Sequence, residues 1–457
     1  MTTRIREGMC DDTGRGDVKT PYYEIDEERL DHDIALLQSA LKQSWGDNSV
    51  YACSVKTNSL PWLLTHFKNQ GAWAEVVSAE EYDLVMRLGF DPAKVIYNGP
   101  IKERDIFEKV LRDGGLVNLD SSQELEWLEE LGKEDKKSEG LQKEGEKSED
   151  LQKGTTWDVG LRINIDFAQL VPEEVPADAE GSRFGYSEEN GTLQAVIARI
   201  RALPQVRITG LHLHSSTRSR SVRAYEAVAE YAGMLAKRYR LSDLRYIDMG
   251  GGFWGGVPDK PDFRDYVPAI AGQLERYCDR KNVTLILEPG VSMVSAAFTF
   301  VTRVRDVKHI GEHVYVVTDG SRVNLNPQVT RRWYPHHFIY REEYQREHPK
   351  EWSIPGAAEE QGSTHQEEQA GGCRTLPSQM ICGATCMEYD RLFEAANEPE
   401  LRPGDLVVYD LAGGYTLCLT PLFIHYFPAV FVKHRDGSCT MVREPWTNQE
   451  FLQKNRW

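Results

Sequence analysis

Lys56 ends the short apolar run "VYACSV", and the polar, turn-forming residues "TNS" follow it at once. Most lysines are solvated surface amines, so this position alone decides nothing. Four further runs end in residues equally able to do chemistry. Glu75 and Ser78 border "EVVS", His214 closes "GLHLH", Gly250, Gly251 and Gly252 follow "YIDM", and Glu288 and Gly290 lie in "LILEPG". A partly buried lysine amine is a nucleophile towards carbonyl groups. Consecutive glycines let backbone N–H groups approach a phosphate without side-chain obstruction. A carboxylate facing a pyridine nitrogen keeps that nitrogen protonated, and a histidine offers a flat face on which a ring can stack.

Singly these features are weak, since a glycine run is more often a loop and a lone histidine more often a satisfied core residue. Each suits one part of a pyridoxal 5'-phosphate site, and in that order and placement they support each other. To converge, they must sit at the same ends of parallel strands. Eight β-rich runs supply such strands: residues 50–55, 74–78, 94–99, 116–120, 159–165, 207–214, 245–250 and 284–290. Stretches such as "AEEYDLVMRLG" and "VRAYEAVAEYAGMLAKRY" lie between them, with apolar residues recurring at helical spacing. Eight strands alternating with helices predict an α/β fold, a (β/α)8 TIM-type barrel, whose chemistry collects at the carboxyl ends of its strands. A doubly wound open sheet is the alternative.

The rest of the chain divides by composition. Residues 1–20 read as a flexible tail and 21–49 as a segment joining a second domain. The barrel is expected over 50–298, interrupted at 133–154 by a polar insertion carrying the near-duplicate pair "KSEGLQKE" and "KSEDLQKG". Runs such as "FTFVTRVRDVKHI", "HVYVVTDG" and "AVFVKH" predict an antiparallel β domain over 299–457, with a long exposed loop at 346–375. Net charge is −17 over 457 residues with no basic patch, which argues against nucleic acid or an anionic membrane as partner. No apolar stretch approaches the length of a membrane span, and no secretory leader is visible, so the expected location is cytoplasmic. The eight cysteines read as cytosolic thiols; Cys382 and Cys386 lie four apart without a second pair, and no metal site is expected.

From about Val50 to Val432 the sequence resembles the pyridoxal-phosphate decarboxylases of the ornithine, arginine and diaminopimelate group, which have an alanine-racemase-type barrel. The motifs that carry the resemblance include "SVKTNS", "EVVSAEE", "VIYNGPIK", "VNLDSSQELE", "SRFGYS", "GLHLH", "DMGGGF", "LEPG", "CGATCMEYD" and "LAGGYT". It implies a homodimer with shared active sites at the subunit interface. Lys56 resembles the cofactor-bearing lysine, and Glu75 stands where the family has an acid beside it. His214 resembles the ring-stacking residue, Gly250 to Gly252 the phosphate glycines, and Glu288 the partner of the pyridine nitrogen. Cys386 resembles the proton donor supplied by the partner subunit, and Tyr415 a phosphate ligand supplied the same way. Arg183 matches a basic position that pairs across the dimer, with Asp390 as its acid.

Two departures bear on function. The family commonly has "EPGR", but Val291 follows "EPG" here. Phosphate binding then falls to the glycines, Tyr415, Thr217 and an arginine such as Arg218 or Arg220. In the basic amino-acid decarboxylases an acid follows the donor cysteine and binds the distal ammonium, whereas Met387 stands there in this chain. Methionine is a poor acceptor for a buried cation. The expected activity is therefore decarboxylation of a small-molecule α-amino acid or an amino-acid conjugate, and not of ornithine, lysine or diaminopimelate. Glu388 is next in line but would turn away in an extended segment; Arg331 and Arg332 could pair an acidic substrate tail. A racemase on the same fold is one alternative, against which the donor-cysteine motif argues. A non-catalytic regulatory homologue is another, against which retention of Lys56, His214, Glu288 and Cys386 argues.

Overall fold

The computed structural model describes residues 19–142, 156–176, 181–328, 334–341 and 374–456, with side chains of 133–142 excepted. The chain divides into two compact units, Asp33–Met293 and the remainder.

The first unit is a closed parallel barrel. After β1 (Tyr22–Asp26), which belongs to the other unit, its strands are β2 (Ser49–Ser54), β3 (Trp73–Val76), β4 (Val95–Tyr97), β5 (Leu116–Leu119), β6 (Trp157–Arg162), β7 (Val206–His212), β8 (Tyr246–Asp248) and β9 (Thr284–Leu287). Each pairs with the next in parallel, and β2 closes on β9 through Val50 opposite Ile286 and Tyr51 opposite Leu287. These eight strands are the eight apolar runs of the sequence. They read as continuous runs because helices cover the outer face while side chains fill the inner one; all three residues of β4 are buried, for example.

Helix starts follow their capping chemistry. Ser78 accepts a hydrogen bond from the Glu81 backbone N–H to cap the helix Ala79–Arg87, and Glu81 reaches back to accept from the Val77 N–H. The helix Ser122–Gln142 runs on through the first ten residues of the polar insertion, and the remainder of that insertion lies outside the described residues.

The second unit is a mostly antiparallel sheet. Its strands are β10 (Phe298–Ile310), β11 (His313–Thr318), β12 (His336–Ile339), β14 (Gln379–Cys382), β15 (Arg391–Ala395), β17 (Leu406–Tyr409), β18 (Ala429–Lys433) and β19 (Cys439–Arg443), with a small ribbon of β13 (Thr375–Leu376) and β16 (Glu398–Pro399). β1 sits inside this sheet, antiparallel to β10 and parallel to β18. β11 and β14 are the other parallel pair. Tyr22, Val301, Leu406, Val408, Ala429 and Phe431 form a buried cluster that holds the central strands together. Most of the expected loop at 346–375, and residues 1–18 of the expected tail, lie outside the described residues.

One expectation fails. Cys439 is disulfide-bonded, whereas Cys53, Cys278, Cys382, Cys386 and Cys418 are free. Spacing along a chain does not reveal which cysteines the fold brings together.

Candidate active site

The barrel register places the chemistry. Ser54, the last residue of β2, pairs with Glu75 of β3, and the chain then turns through Val55–Thr57, which lifts Lys56 to the strand end. Lys56 Nζ donates to Glu75 Oε2, which also accepts from Ser54 Oγ at 2.7 Å. The Glu75 side chain is 1% exposed and that of Lys56 30%, so the amine stands at the mouth of the barrel over a buried carboxylate.

Glu288 follows β9 and is fully enclosed. Its Oε1 accepts from Asn98 Nδ2 at 2.6 Å, while Oε2 has no hydrogen-bond partner among the described residues. His212 Nε2 lies 3.3 Å and His214 Nδ1 3.6 Å from that second oxygen. The Gly251 N–H donates to His214 Nδ1 at 2.9 Å, so that nitrogen is the acceptor and the ring proton sits on Nε2. This explains why His212, His214 and Glu288, whose ligand atoms cluster within 4.8 Å, are not read as a metal centre: the lone pair His214 would offer is already used.

Charge is divided between two acids. Burial pushes the Asp248 carboxyl well up, and the adjoining Glu288 charge adds to this. Burial opposes ionisation of Glu288 as well, but contact with His212 outweighs it and holds that carboxyl well below its usual range. The two shifts run in opposite directions, so a proton held by this pair sits on Asp248 in preference to Glu288.

The glycines form a cradle for structural reasons that can be stated atom by atom. Gly250 and Gly252 have φ of +64° and +88°, and a Cβ would lie 2.5 Å from His214 Cβ at the first and 2.7 Å from Ser216 Cβ at the second. At Gly251 a Cβ would meet the Glu288 carbonyl oxygen at 2.3 Å, and at Gly290 it would meet Thr57 Oγ1 at 2.3 Å. Tyr225 donates to the Gly251 carbonyl at 3.0 Å and stacks on Phe253, which fixes the loop from behind.

Beside the cradle, Thr217 and Arg218 border a cleft of about 570 Å³ that Asn164, Ser182 and Ser216 also line. Thr217 Oγ1 lies 3.4 Å from Glu174 Oε2, and Ser219 and Ser221 donate to the same carboxylate. Arg220 is held against the Trp254 ring at 4.6 Å with φ of +49°, so of the two arginines only Arg218 faces the cleft.

The barrel thus brings together Lys56, Glu75, His214, Gly250, Gly251, Gly252, Glu288 and Gly290, with Thr217 alongside. Arg183 is exposed, with its guanidinium 4.3 Å over Phe184.

The remaining expected residues lie on the other unit. Asp390 is 3% exposed, and its carboxylate accepts from Ser321 Oγ, the Arg322 N–H, and both the N–H and hydroxyl of Thr385. These bonds shape the loop that presents Cys386, which is exposed, and Met387, which is half-buried. Asp390 thus serves four donors of its own unit. The Glu388 side chain is 97% exposed beside Arg391. Tyr415 takes a φ of +56°, an unusual value for a non-glycine residue. Arg331 and Arg332 lie outside the described residues.

Sequence reasoning missed several residues of the site. His212 was recoverable, because strand side chains alternate and residues two apart in "HLH" share a face. Asn98, Asn118, Tyr246 and Asp248 were not, since nothing local marks a strand-end amide or tyrosine as a partner of a distant acid. Elsewhere in the barrel, Arg162, buried against Asp120 at 3.1 Å, and the fully enclosed pair Lys102–Glu124 are hidden from sequence reasoning in the same way.

The residues present fit pyridoxal 5'-phosphate. An orphaned, buried, ionised oxygen awaits a cationic ring nitrogen, an amine stands at the strand end, and a glycine cradle leaves room that any Cβ would fill.

Comparison with known proteins agrees with that geometry. Residues 32–295 match the family described as pyridoxal-dependent decarboxylase, pyridoxal binding domain. The chain is 24% identical over 447 residues, 95% of its length and 93% of the relative's, to the L-glutamyl-[BtrI acyl-carrier protein] decarboxylase of Niallia circulans. It is 27% identical over 286 residues to the diaminopimelate decarboxylase of Pseudomonas aeruginosa, covering 61% of this chain and 63% of that one. In fold it is similar to the crystal structure of Helicobacter pylori diaminopimelate decarboxylase complexed with L-lysine, with a TM-score of 0.72, 19% identity and coverage of 95% and 96%.

Proposed function

Because the chain belongs to the pyridoxal-dependent decarboxylases, carboxy-lyases that use pyridoxal 5'-phosphate, we propose that it decarboxylates an α-amino acid, or a conjugate of one, whose distal end is not a cation. Met387 carries the substrate reading. It stands where the resemblance puts an acid in the basic amino-acid decarboxylases, and a buried ammonium left without a partner costs several kcal/mol. Glu388 is no substitute, since its side chain is almost fully exposed. The Niallia circulans relative, matched over nearly its whole length, is named for a glutamyl group carried on a protein, which supports a conjugate as substrate.

Bound in the barrel, pyridoxal 5'-phosphate supplies an aldehyde for capture of an amine and a ring that accepts the electron pair left when carbon dioxide departs. This chain's residues do the rest. Lys56 presents the amine, and Glu75 beneath it holds that amine in place and exchanges its proton. Glu288 offers the charged oxygen that keeps a ring nitrogen protonated, and His214 supplies a flat face beside it. The N–H groups of the glycine loop and Thr217 meet the phosphate, with Arg218 as the cation in place of the arginine missing at Val291. Cys386 is the proton donor to the α-carbon and Tyr415 a further phosphate ligand, both from the second subunit of a homodimer.

Diaminopimelate is the second reading, favoured by relatives of that name. A screen for carbon dioxide and the matching amine, across amino acids, diaminopimelate and acylated or carrier-linked amino acids, decides between them. Turnover of diaminopimelate above every substrate without a cationic tail would overturn the proposal. Loss of optical activity without gas would make the enzyme a racemase instead.

A further inference from the structure

We infer that Asn98 is a positioning residue which ties the Glu75 and Glu288 carboxylates together and thereby sets how tightly the cofactor binds and how its ring is held. This rests on the reading of the barrel as the cofactor site.

Asn98 follows β4 directly and is 3% exposed. Its Nδ2 donates to Glu288 Oε1 at 2.6 Å and lies 3.3 Å from Glu75 Oε1, so its two N–H bonds serve both site carboxylates. Its Oδ1 accepts from Asn118 Nδ2 at 2.8 Å, and Asn118 Oδ1 accepts from the Tyr246 hydroxyl at 2.8 Å. The direction of this relay is set at its end. Ionised carboxylates can only accept, so each amide must turn its nitrogen towards them, and Tyr246 is left as the first donor.

The barrel gives up side chains to accommodate this relay. A Cβ at Gly160 would lie 2.0 Å from Asn118 Oδ1 and 2.2 Å from the Tyr246 oxygen, and one at Gly210 would lie 1.9 Å from the Tyr246 ring. Two neighbouring strands therefore leave a gap through which the tyrosine crosses the interior. The far oxygen of each carboxylate is the one turned towards the chemistry: Glu75 Oε2 takes Lys56, and Glu288 Oε2 is the orphan. Removing the amide takes from Glu288 the donor that favours its charged form and frees the Glu75 carboxylate from its neighbour, and a neutral Glu288 no longer favours a protonated ring.

The test uses full-length apo-protein titrated with pyridoxal 5'-phosphate, read by visible absorbance across pH and by quenching of tryptophan fluorescence. A hydrogen bond to a charged group is worth enough to predict that Asn98→Ala binds the cofactor about tenfold to a hundredfold more weakly. The pH midpoint of its visible band should move away from that of the wild type. Tyr246→Phe, which keeps the ring and removes only the first donor, should move both quantities the same way by less. Wild-type affinity and midpoint in a folded Asn98→Ala protein would overturn the inference. If that variant does not fold by circular dichroism, unchanged values in Tyr246→Phe overturn it instead. A wild-type protein that takes up no cofactor overturns the site reading itself, and the inference with it.

Discussion

Glu75 and Lys56 meet because β2 and β3 are paired in register at Ser54 and Glu75, two residues before the lysine. The carboxylate is enclosed and the amine half-exposed, so one end of the pair is fixed while the other can reach a ligand. Glu75→Gln keeps the shape and removes the charge. It should slow turnover by about 10² to 10⁴-fold, the range typical of a lost proton-transfer group, while cofactor still binds. Steady-state rates of the reconstituted variant measure this, and a loss below threefold would remove Glu75 from the chemistry.

Glu81 should give the protein a pH-dependent stability of its own. Burial pushes its carboxyl up to about 7, against the hydrogen bond from the Val77 N–H, and the nearby Glu75 charge adds to the rise. A group whose folded pKa is raised contributes stability that is full below its unfolded value of 4.5 and is lost as pH rises through about 7. The thermal midpoint of the wild type should therefore fall from pH 5 to pH 8 more steeply than that of Glu81→Gln. Parallel curves would contradict this.

Asp390 should act on Cys386 through the loop rather than by contact. Four donors converge on its carboxylate. Asp390→Ala strands buried donors and should destabilise the protein by about 3 kcal/mol. Chemical denaturation measures the loss, and the rate of Cys386 alkylation reports whether the loop has loosened. A native alkylation rate would show that the loop keeps its shape without the acid.

Cys386→Ala should leave cofactor binding intact and shift the products towards those of misplaced protonation, visible by mass spectrometry as carbonyl compound beside amine. Amine alone at the wild-type rate would mean that another group delivers the proton.

The eight barrel strands were legible because short β-rich runs alternate with stretches whose apolar residues recur at helical spacing. β10, β11, β17, β18 and β19 were legible for their β-branched residues. β1 was read only as part of a segment at 21–49 joining the second domain and not as a strand, because "YYEID" stands apart from any other strand and finds its partners β10 and β18 only through the fold. The same limit applies within the site. Lys56, His214 and Glu288 are marked by their position at strand ends, whereas the Tyr246–Asn118–Asn98 relay joins residues 128 and 20 positions apart. Only closure of the barrel brings such residues into contact. Glu81 is one of two adjacent acids in "SAEE", and its unusual state comes from burial that the sequence does not show.

The most direct measurement is borohydride reduction of the protein loaded with pyridoxal 5'-phosphate, followed by peptide mapping. The account predicts a single reduced pyridoxyl adduct on the peptide that contains Lys56, and none in Lys56→Ala. An adduct on a different lysine, or no adduct in protein that has bound cofactor, would contradict it.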